Sequence, residues 1–414
     1  NVAPVWAESL RGQGRLVCSF DTGADGDHEA FAARWRGLRS GVDWSWAWRD
    51  PGGSSQFPFD TGYHGTHVLG IMVGEKPDST PIGVAPAAEW IAARILNPYV
   101  VSDIIACYEW AVDPDGDPGT VSDVPDVINN SWGTSGNCDQ TYWNAIDVVE
   151  AAGIVNTIAV DNSGPSPASV NSPESRAASP FANFGVGNVN PHVEGYPISN
   201  TSGRGPSPCD MTSIKPEVTA PGTQIYSSMP NDGYGTLSGT SMACPHVSGA
   251  VAILRQVDPD LTVNQVKHAL MATAYDRGAA GEDNDYGSGI IDLAAAVNLV
   301  RPLPNYPPQN LRAEVAEDDV TLRWDAPQQV SPLNPLDAYR IYRAPVGEGF
   351  PLEPLGELRA GLGGAEYTDA DLPPGLWHYV VTALYIQGES GPSNEVEVET
   401  VAPSAVEAIR PADA

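Results

Sequence analysis

Three short stretches carry side chains able to do nucleophilic chemistry together. Ser241 lies in Ser238-Gly239-Thr240-Ser241-Met242-Ala243-Cys244-Pro245-His246. Beyond it Val247, Ala250, Val251, Ile253 and Leu254 recur at helical spacing, which predicts a buried helix opening near the serine. A helix N-terminus favours developing negative charge. A serine there serves as a nucleophile or, more commonly, as a plain N-cap, and the loop alone leaves both open. Asp21 in Asp21-Thr22-Gly23 ends the apolar run Leu16-Val17-Cys18-Ser19-Phe20, which reads as a buried strand; by itself the tripeptide is ordinary turn chemistry. His64 opens a helical segment, His64-Gly65-Thr66-His67-Val68-Leu69-Gly70. His64 and His67 also form an HxxH pair, so a metal site is an alternative, but neither an HExxH glutamate nor a third ligand accompanies them. The order acid, histidine, serine is one in which the acid–base–nucleophile triad occurs. The GxSxG elbow of α/β-hydrolases is absent, and there the acid follows the serine.

These three blocks together resemble the subtilisin family of serine peptidases, over a span from about Val5 to Val300. Within it they are most similar to the bacillopeptidase F branch, on Gly83-Val84-Ala85-Pro86, Asn130-Ser131-Trp132-Gly133 and Asp285-Tyr286-Gly287. The resemblance implies a secreted serine endopeptidase in which Ser241 attacks a peptide carbonyl, His64 takes its proton and Asp21 orients His64. It implies that Asn162 and the Ser241 backbone N–H hold the oxyanion. It also implies that Ser131, Trp132 and Gly133 pair with an extended peptide substrate, and that Asn171-Ser172-Pro173 lies near the base of the S1 pocket, where Asn171 tunes preference. Trp132 is a candidate wall of the groove. Asp161 departs from the family's usual Gly-Asn pair at this place and is expected to point away from the oxyanion. No acidic residue marks the pocket for lysine or arginine. The chemistry needs no cofactor, and structural calcium is compatible with the family. Acidic loops such as Asp283-Asn284-Asp285 are present without diagnostic ligand spacing, so no metal residues are assigned. A catalytically inactive binding protein on the same scaffold is the alternative, distinguished by the loss of a triad member.

Stepping from the site to the elements that must carry it, residues 1–300 alternate short β-rich runs with helical patterns. Strands are expected at 15–20, 90–95, 126–130 and 154–160, and helices near 64–73, 103–112, 140–152, 241–256 and 262–274. This alternation predicts an α/β fold, a mainly parallel sheet with helices on both faces. Its ligands gather outside the carboxyl ends of the strands, where Asp21, Ser131 and Asn162 fall. Arg301-Pro302-Leu303-Pro304-Asn305-Tyr306-Pro307-Pro308 reads as a stiff linker over 301–308. From 309 to 402 the pattern changes to alternating strands at 320–324, 338–343, 377–383 and 395–398, which predicts an all-β sandwich. Trp324, Tyr342, Leu372, Tyr379 and the turn Gly388-Glu389-Ser390 resemble a fibronectin type III domain, expected to act as a spacer or to contact a protein or carbohydrate surface. Residues 403–414 read as a flexible tail.

The 414 residues exceed one ordinary core. With Lys+Arg 21 against Asp+Glu 52, the net charge of −31 repels nucleic acid and anionic lipid, leaving protein or peptide substrates as the expected partners. No apolar run reaches the ~18 residues of a membrane helix, so no membrane insertion is expected. The chain opens on Asn1, which reads as a processed mature chain or a trimmed piece. Its five cysteines leave at least one thiol unpaired within the chain. Cys18 and Cys244 read as small core residues, whereas Cys138 and Cys209, in polar loops, are the candidate disulfide pair, which would suit an oxidising compartment.

Overall fold

The computed structural model describes residues 2–53, 55–97, 100–179, 181–361 and 365–401; the tail expected at 403–414 lies outside the described residues. The chain divides into two compact units, Asn1–Arg301 and Pro302–Ala414.

In the first unit, strands β1 (Leu16–Asp21), β2 (Trp48–Arg49), β3 (Glu89–Arg94), β4 (Val127–Asn130), β5 (Val155–Ala159), β6 (Phe184–Val189) and β7 (Val218–Pro221) form one sheet, in the order β2-β3-β1-β4-β5-β6-β7. Every adjacent pair is parallel. Parallel strands are covered on both faces and so read as apolar runs without alternation; β1 is buried at all of its positions. The helices are α1 (Ala3–Ala7), α2 (His64–Val73), α3 (Val101–Val112), α4 (Trp143–Ala151), α5 (Thr240–Val257), α6 (Val263–Ala272) and α7 (Leu293–Val300). An antiparallel hairpin of β8 (Ile225–Met229) and β9 (Gly233–Leu237) leads into α5.

Two of these elements set the site. Val68 and Ile71 of α2 and Met242 of α5 form one buried apolar cluster, with Ile225 and Leu237 of the hairpin packed against it. Fully burying one such side chain contributes about 1.5–3 kcal/mol, so the cluster holds the beginnings of α2 and α5 in a common frame. The hairpin reinforces it by hydrogen bonds: Ser228 Oγ donates to the Thr66 carbonyl and Ser227 Oγ to the His67 carbonyl, each at 2.8 Å. Gly65 permits the approach of α2 to β1, because a Cβ there would lie 2.0 Å from the Gly23 carbonyl oxygen and 3.1 Å from Asp21 Cβ.

The second unit holds β10 (Gln309–Ala316), β11 (Asp319–Asp325), β12 (Leu336–Pro345), β13 (Gly356–Arg359), β14 (Ala365–Asp369), β15 (Gly375–Tyr385), β16 (Gly388–Glu389) and β17 (Val396–Thr400). One antiparallel sheet runs β10-β11-β14; the other runs β13-β12-β15-β16 with β17 also on β15. Leu322 and Trp324 from the first sheet meet Tyr339, Ile341, Tyr379 and Val381 from the second in a single core. Tyr339 occupies that core, whereas Tyr342 turns outward and its hydroxyl donates to Glu389 at 2.9 Å. Residues 302–308 have no helix or strand, but they are not a free linker: the Tyr306 carbonyl accepts from Tyr385 Oη at 2.8 Å, and Asn305 Oδ1 from Asn334 at 2.9 Å.

Candidate active site

Asp21 ends β1 fully buried, because the strand must run to the sheet edge before the chain turns. His64 begins α2, and its Nδ1–H donates to Asp21 Oδ1 at 2.7 Å. The same oxygen accepts the Thr22 backbone N–H at 2.7 Å. Burial opposes a charge on the imidazole, but the Asp21 carboxylate, through its charge and hydrogen bond, and Asp60 beyond it outweigh burial and raise the His64 pKa above 6.5. Asp60 is a site residue that sequence reasoning missed. Its Oδ1 accepts from Thr22 Oγ1 at 2.7 Å, while its Oδ2 accepts the Thr66 backbone N–H at 2.8 Å and Thr66 Oγ1 at 2.6 Å. It therefore fastens the turn after Asp21 to the first turn of α2. The only local signal is an acid four residues before His64, a spacing common to ordinary loops.

His67 is not a partner of His64 in a metal pair. Its side chain is buried and its Nε2 faces the Ile225 carbonyl at 3.0 Å; burial pushes its pKa down to about 4.

Ser241 lies in the first turn of α5, half-buried. Its Oγ donates to the Ser131 carbonyl at 3.2 Å, and this rotamer makes no hydrogen bond to His64. Pro245 falls in the second turn of α5. Having no N–H, it leaves the carbonyl of Ser241, four residues earlier, without its helical donor. Ser131 Oγ supplies the replacement at 2.9 Å. Ser131, at the end of β4, is thus bonded both ways to the residue that opens α5.

Asn162 follows β5. Its Oδ1 accepts the Thr240 backbone N–H at 3.0 Å, which leaves the NH₂ as the donor end of the amide. Asp161 does not face that NH₂. Its Oδ1 accepts the Asn162 backbone N–H and its Oδ2 accepts from the Asn171 side chain. Gly133 is exposed. Trp132 is the correction here: its ring does not wall the groove but is buried, edge-on to Tyr142 at 5.3 Å between centroids, with Nε1 donating to Asn130 Oδ1 at 3.0 Å. The Ser172–Pro173 peptide is cis.

Cys138 and Cys209 are joined in a disulfide, while Cys18, Cys107 and Cys244 are buried thiols. Burial raises the Cys244 pKa to about 12, so that thiol stays neutral and packs as an apolar group.

The loop 283–285 satisfies its own acids. Asp283 Oδ1 accepts the N–H groups of Asp285 and Tyr286, each at 2.8 Å, and Asp285 pairs with Arg204 at 2.7 Å. Among the described residues one group of acids brings its oxygens together: Asp113, Asp115 and Asp123 offer oxygens all within 4.8 Å of one another. Asp123 is buried, and its Oδ1 and that of Asp113 have no hydrogen-bond donor. Burial raises the Asp123 pKa, and Asp115 and Asp113 add to the rise.

Comparison with known proteins places this geometry. The model of the subtilase family matches residues 12–289. Bacillopeptidase F of Bacillus subtilis (strain 168) is 35% identical over 318 residues, covering 71% of this chain but only 21% of that protein. Subtilisin DY of Bacillus licheniformis is 33% identical over 239 residues, covering 56% of this chain and 77% of its own. Among solved structures, the S41 psychrophilic protease superposes with a TM-score of 0.58 at 26% identity, over 68% of this chain and 92% of its own. The chain thus spans about a fifth of bacillopeptidase F and most of the S41 protease.

Proposed function

This chain belongs to the subtilase family, and from that premise we propose that it is a serine endopeptidase working through Asp21, His64 and Ser241. The hydrogen bond from His64 Nδ1 to Asp21 Oδ1 carries the reading, since it fixes the tautomer that leaves Nε2 free to accept a proton. The Ser241 hydroxyl turns from the Ser131 carbonyl to His64 Nε2. Its oxygen attacks the peptide carbonyl carbon as the proton passes to Nε2. The Asn162 NH₂ and the Ser241 backbone N–H receive the negative oxygen; a side-chain donor of this kind is worth about 2.7–4 kcal/mol in the transition state. Collapse breaks the C–N bond, and His64 gives its proton to the leaving amine. Water then attacks the acyl-enzyme with His64 again as base, releasing the acid and restoring Ser241. The backbone of Ser131, Trp132 and Gly133 pairs with the peptide as an added strand, a mode of binding with modest demand on side chains.

The experiment is labelling with a fluorophosphonate, which captures an activated serine. Modification at Ser241 together with peptide cleavage is expected; an unlabelled Ser241 and no turnover would support the inactive scaffold. Because the base must be neutral, kcat/KM is expected to rise with pH through a midpoint above 6.5, as the raised pKa of free His64 requires. The linked stability has the opposite slope. The protonated His64–Asp21 pair stabilises the fold at pH below 6.5, and this contribution is lost as pH rises through the folded-state pKa. An acid-limb midpoint below 6.5 would contradict this account.

Asp113, Asp115 and Asp123 suit a hard cation held by oxygens, with calcium the choice of that donor set. A bound cation would neutralise the buried oxygens and tie the chain after α3 to the approach to β4; it takes no part in catalysis. At free calcium ~100 times its Kd, binding would add about 2.7 kcal/mol of stability. A chelator is therefore expected to lower the melting temperature, and Asp123→Asn to remove that sensitivity. A melting temperature indifferent to both would refute the assignment.

The Cys138–Cys209 disulfide supports action outside the cytoplasm. The C-terminal unit reads as a fibronectin type III-like sandwich, supported by its two sheets closing over Trp324, Leu372 and Tyr379. It serves as a spacer or as a contact for protein or carbohydrate.

A further inference from the structure

Against the expectation that no acidic residue marks the pocket, we infer that Asp161 makes this site selective for lysine or arginine at P1, the residue whose carbonyl is attacked. The inference rests on the peptidase reading above and names its substrate class. Asp161 adopts a left-handed backbone with φ of 73°, a conformation Asp tolerates better than most residues. Its carboxylate is held at both oxygens, by the Asn162 backbone N–H and by the Asn171 side chain, and so is aimed at the segment 171–172 rather than at the oxyanion.

That segment is paired directly with residues 133–134. The Ser172 carbonyl accepts the Thr134 backbone N–H at 2.7 Å and Thr134 Oγ1 at 3.2 Å, so residues 133–134 run alongside it. Gly133 carries no side chain on this side and lies close to both Ser172 and Asp161. A Cβ placed on it would lie 3.4 Å from the Ser172 carbonyl oxygen and 3.7 Å from Asp161 Oδ2. The carboxylate therefore stands within contact distance of the exposed strand end that pairs with substrate, one residue from the oxyanion donor Asn162.

Its charge is not cancelled there. Asn171 and the backbone donate as neutral groups, and no Lys or Arg pairs with Asp161 among the described residues. A carboxylate has about four acceptor positions, so lone pairs remain for an ammonium or guanidinium. A neutral P1 side chain of the same length would leave the charge unpaired as the substrate displaces water.

The test compares peptides that differ only in P1 charge: arginine against citrulline, and lysine against norleucine. The native protein is expected to give kcat/KM about tenfold or more higher for the cationic member of each pair, in the range of a charge-assisted hydrogen bond. The ratio should narrow as salt rises. Asp161→Asn should bring both ratios close to one; the ratio within one enzyme is the readout, so a general loss of rate does not obscure it. Native ratios near one, or ratios that survive Asp161→Asn, would overturn the assignment. If instead no peptide is cut and fluorophosphonate leaves Ser241 unmodified, the peptidase reading itself fails and takes this inference with it.

Discussion

Ser241→Ala is expected to lower kcat for peptide hydrolysis by a factor on the order of 10⁶, a magnitude carried over from the subtilisin triad. The side chain removed forms the bond to the carbonyl carbon, and no neighbouring group can replace it: Cys244 is buried with a neutral thiol. KM should change little, because the groove backbone at Ser131–Gly133 and the Ser241 N–H both remain. Labelling by fluorophosphonate should vanish. Since His64 acts only through Ser241 in the first step, Ser241→Ala/His64→Ala should be hardly slower than Ser241→Ala alone. Measured kcat values for the single and double variants decide this. A loss below about a thousandfold, or one that doubles in logarithm on adding His64→Ala, would show that the two residues do not act as one unit.

The parts of this arrangement that the chain announces locally are those whose pattern has one cause. The run Leu16–Phe20 is apolar without alternation because β1 is covered on both faces, and its end marks Asp21. The helix from Thr240 shows its buried face in its spacing. Strand β6 gives no such signal, since glycine occupies positions 185 and 187 and weakens its strand character. The reason is tertiary: a Cβ at Gly185 would lie 2.0 Å from Glu174 Oε1, and one at Gly187 would lie 2.9 Å from Thr219 Cγ2. The hairpin β8–β9 likewise shows its purpose only where Ser227 and Ser228 meet α2.

Within the site the same division holds. Asp21, His64 and Ser241 stand out because each sits in a short motif at the boundary of an element. Asp161 is expected from its sequence to turn from the oxyanion; its carboxylate is held by the Asn162 N–H and the Asn171 side chain. Where it turns depends on Asn171, ten residues away, and hence on how two loops fold together. The direction of the Trp132 ring is also decided by a distant partner, Tyr142. Residue types report chemistry, while the facing of a side chain is set by what packs behind it.

Lys215→Met, made in the inactive Ser241→Ala background so that self-digestion does not intervene, is expected to cost about 3–5 kcal/mol of stability. Lys215, Glu174 and Glu217 are all buried. The Lys215 ammonium donates to Glu174 Oε1 at 2.9 Å and to Glu217 Oε1 at 2.5 Å, while Glu217 Oε2 accepts the Gly185 N–H of β6 at 2.7 Å. Methionine fills the stem's volume but leaves two carboxyl groups facing each other without a cation. One cation cannot balance two anions: burial first, and the neighbouring Glu217 charge besides, push the Glu174 pKa well above 4.5 even though Lys215 pulls it down. Glu174 Oε2 is also buried without a hydrogen-bond partner. The folded protein keeps a proton that the unfolded chain releases above about 4.5, so this group lowers stability as pH rises from there toward the folded-state pKa. Glu174→Gln replaces the protonated acid with a neutral isostere; it should cost less than about 1 kcal/mol near neutrality and flatten that slope. Urea unfolding across pH measures both. A Lys215→Met loss under about 1 kcal/mol, or an unchanged slope in Glu174→Gln, would mean that the charge is balanced by groups outside these three.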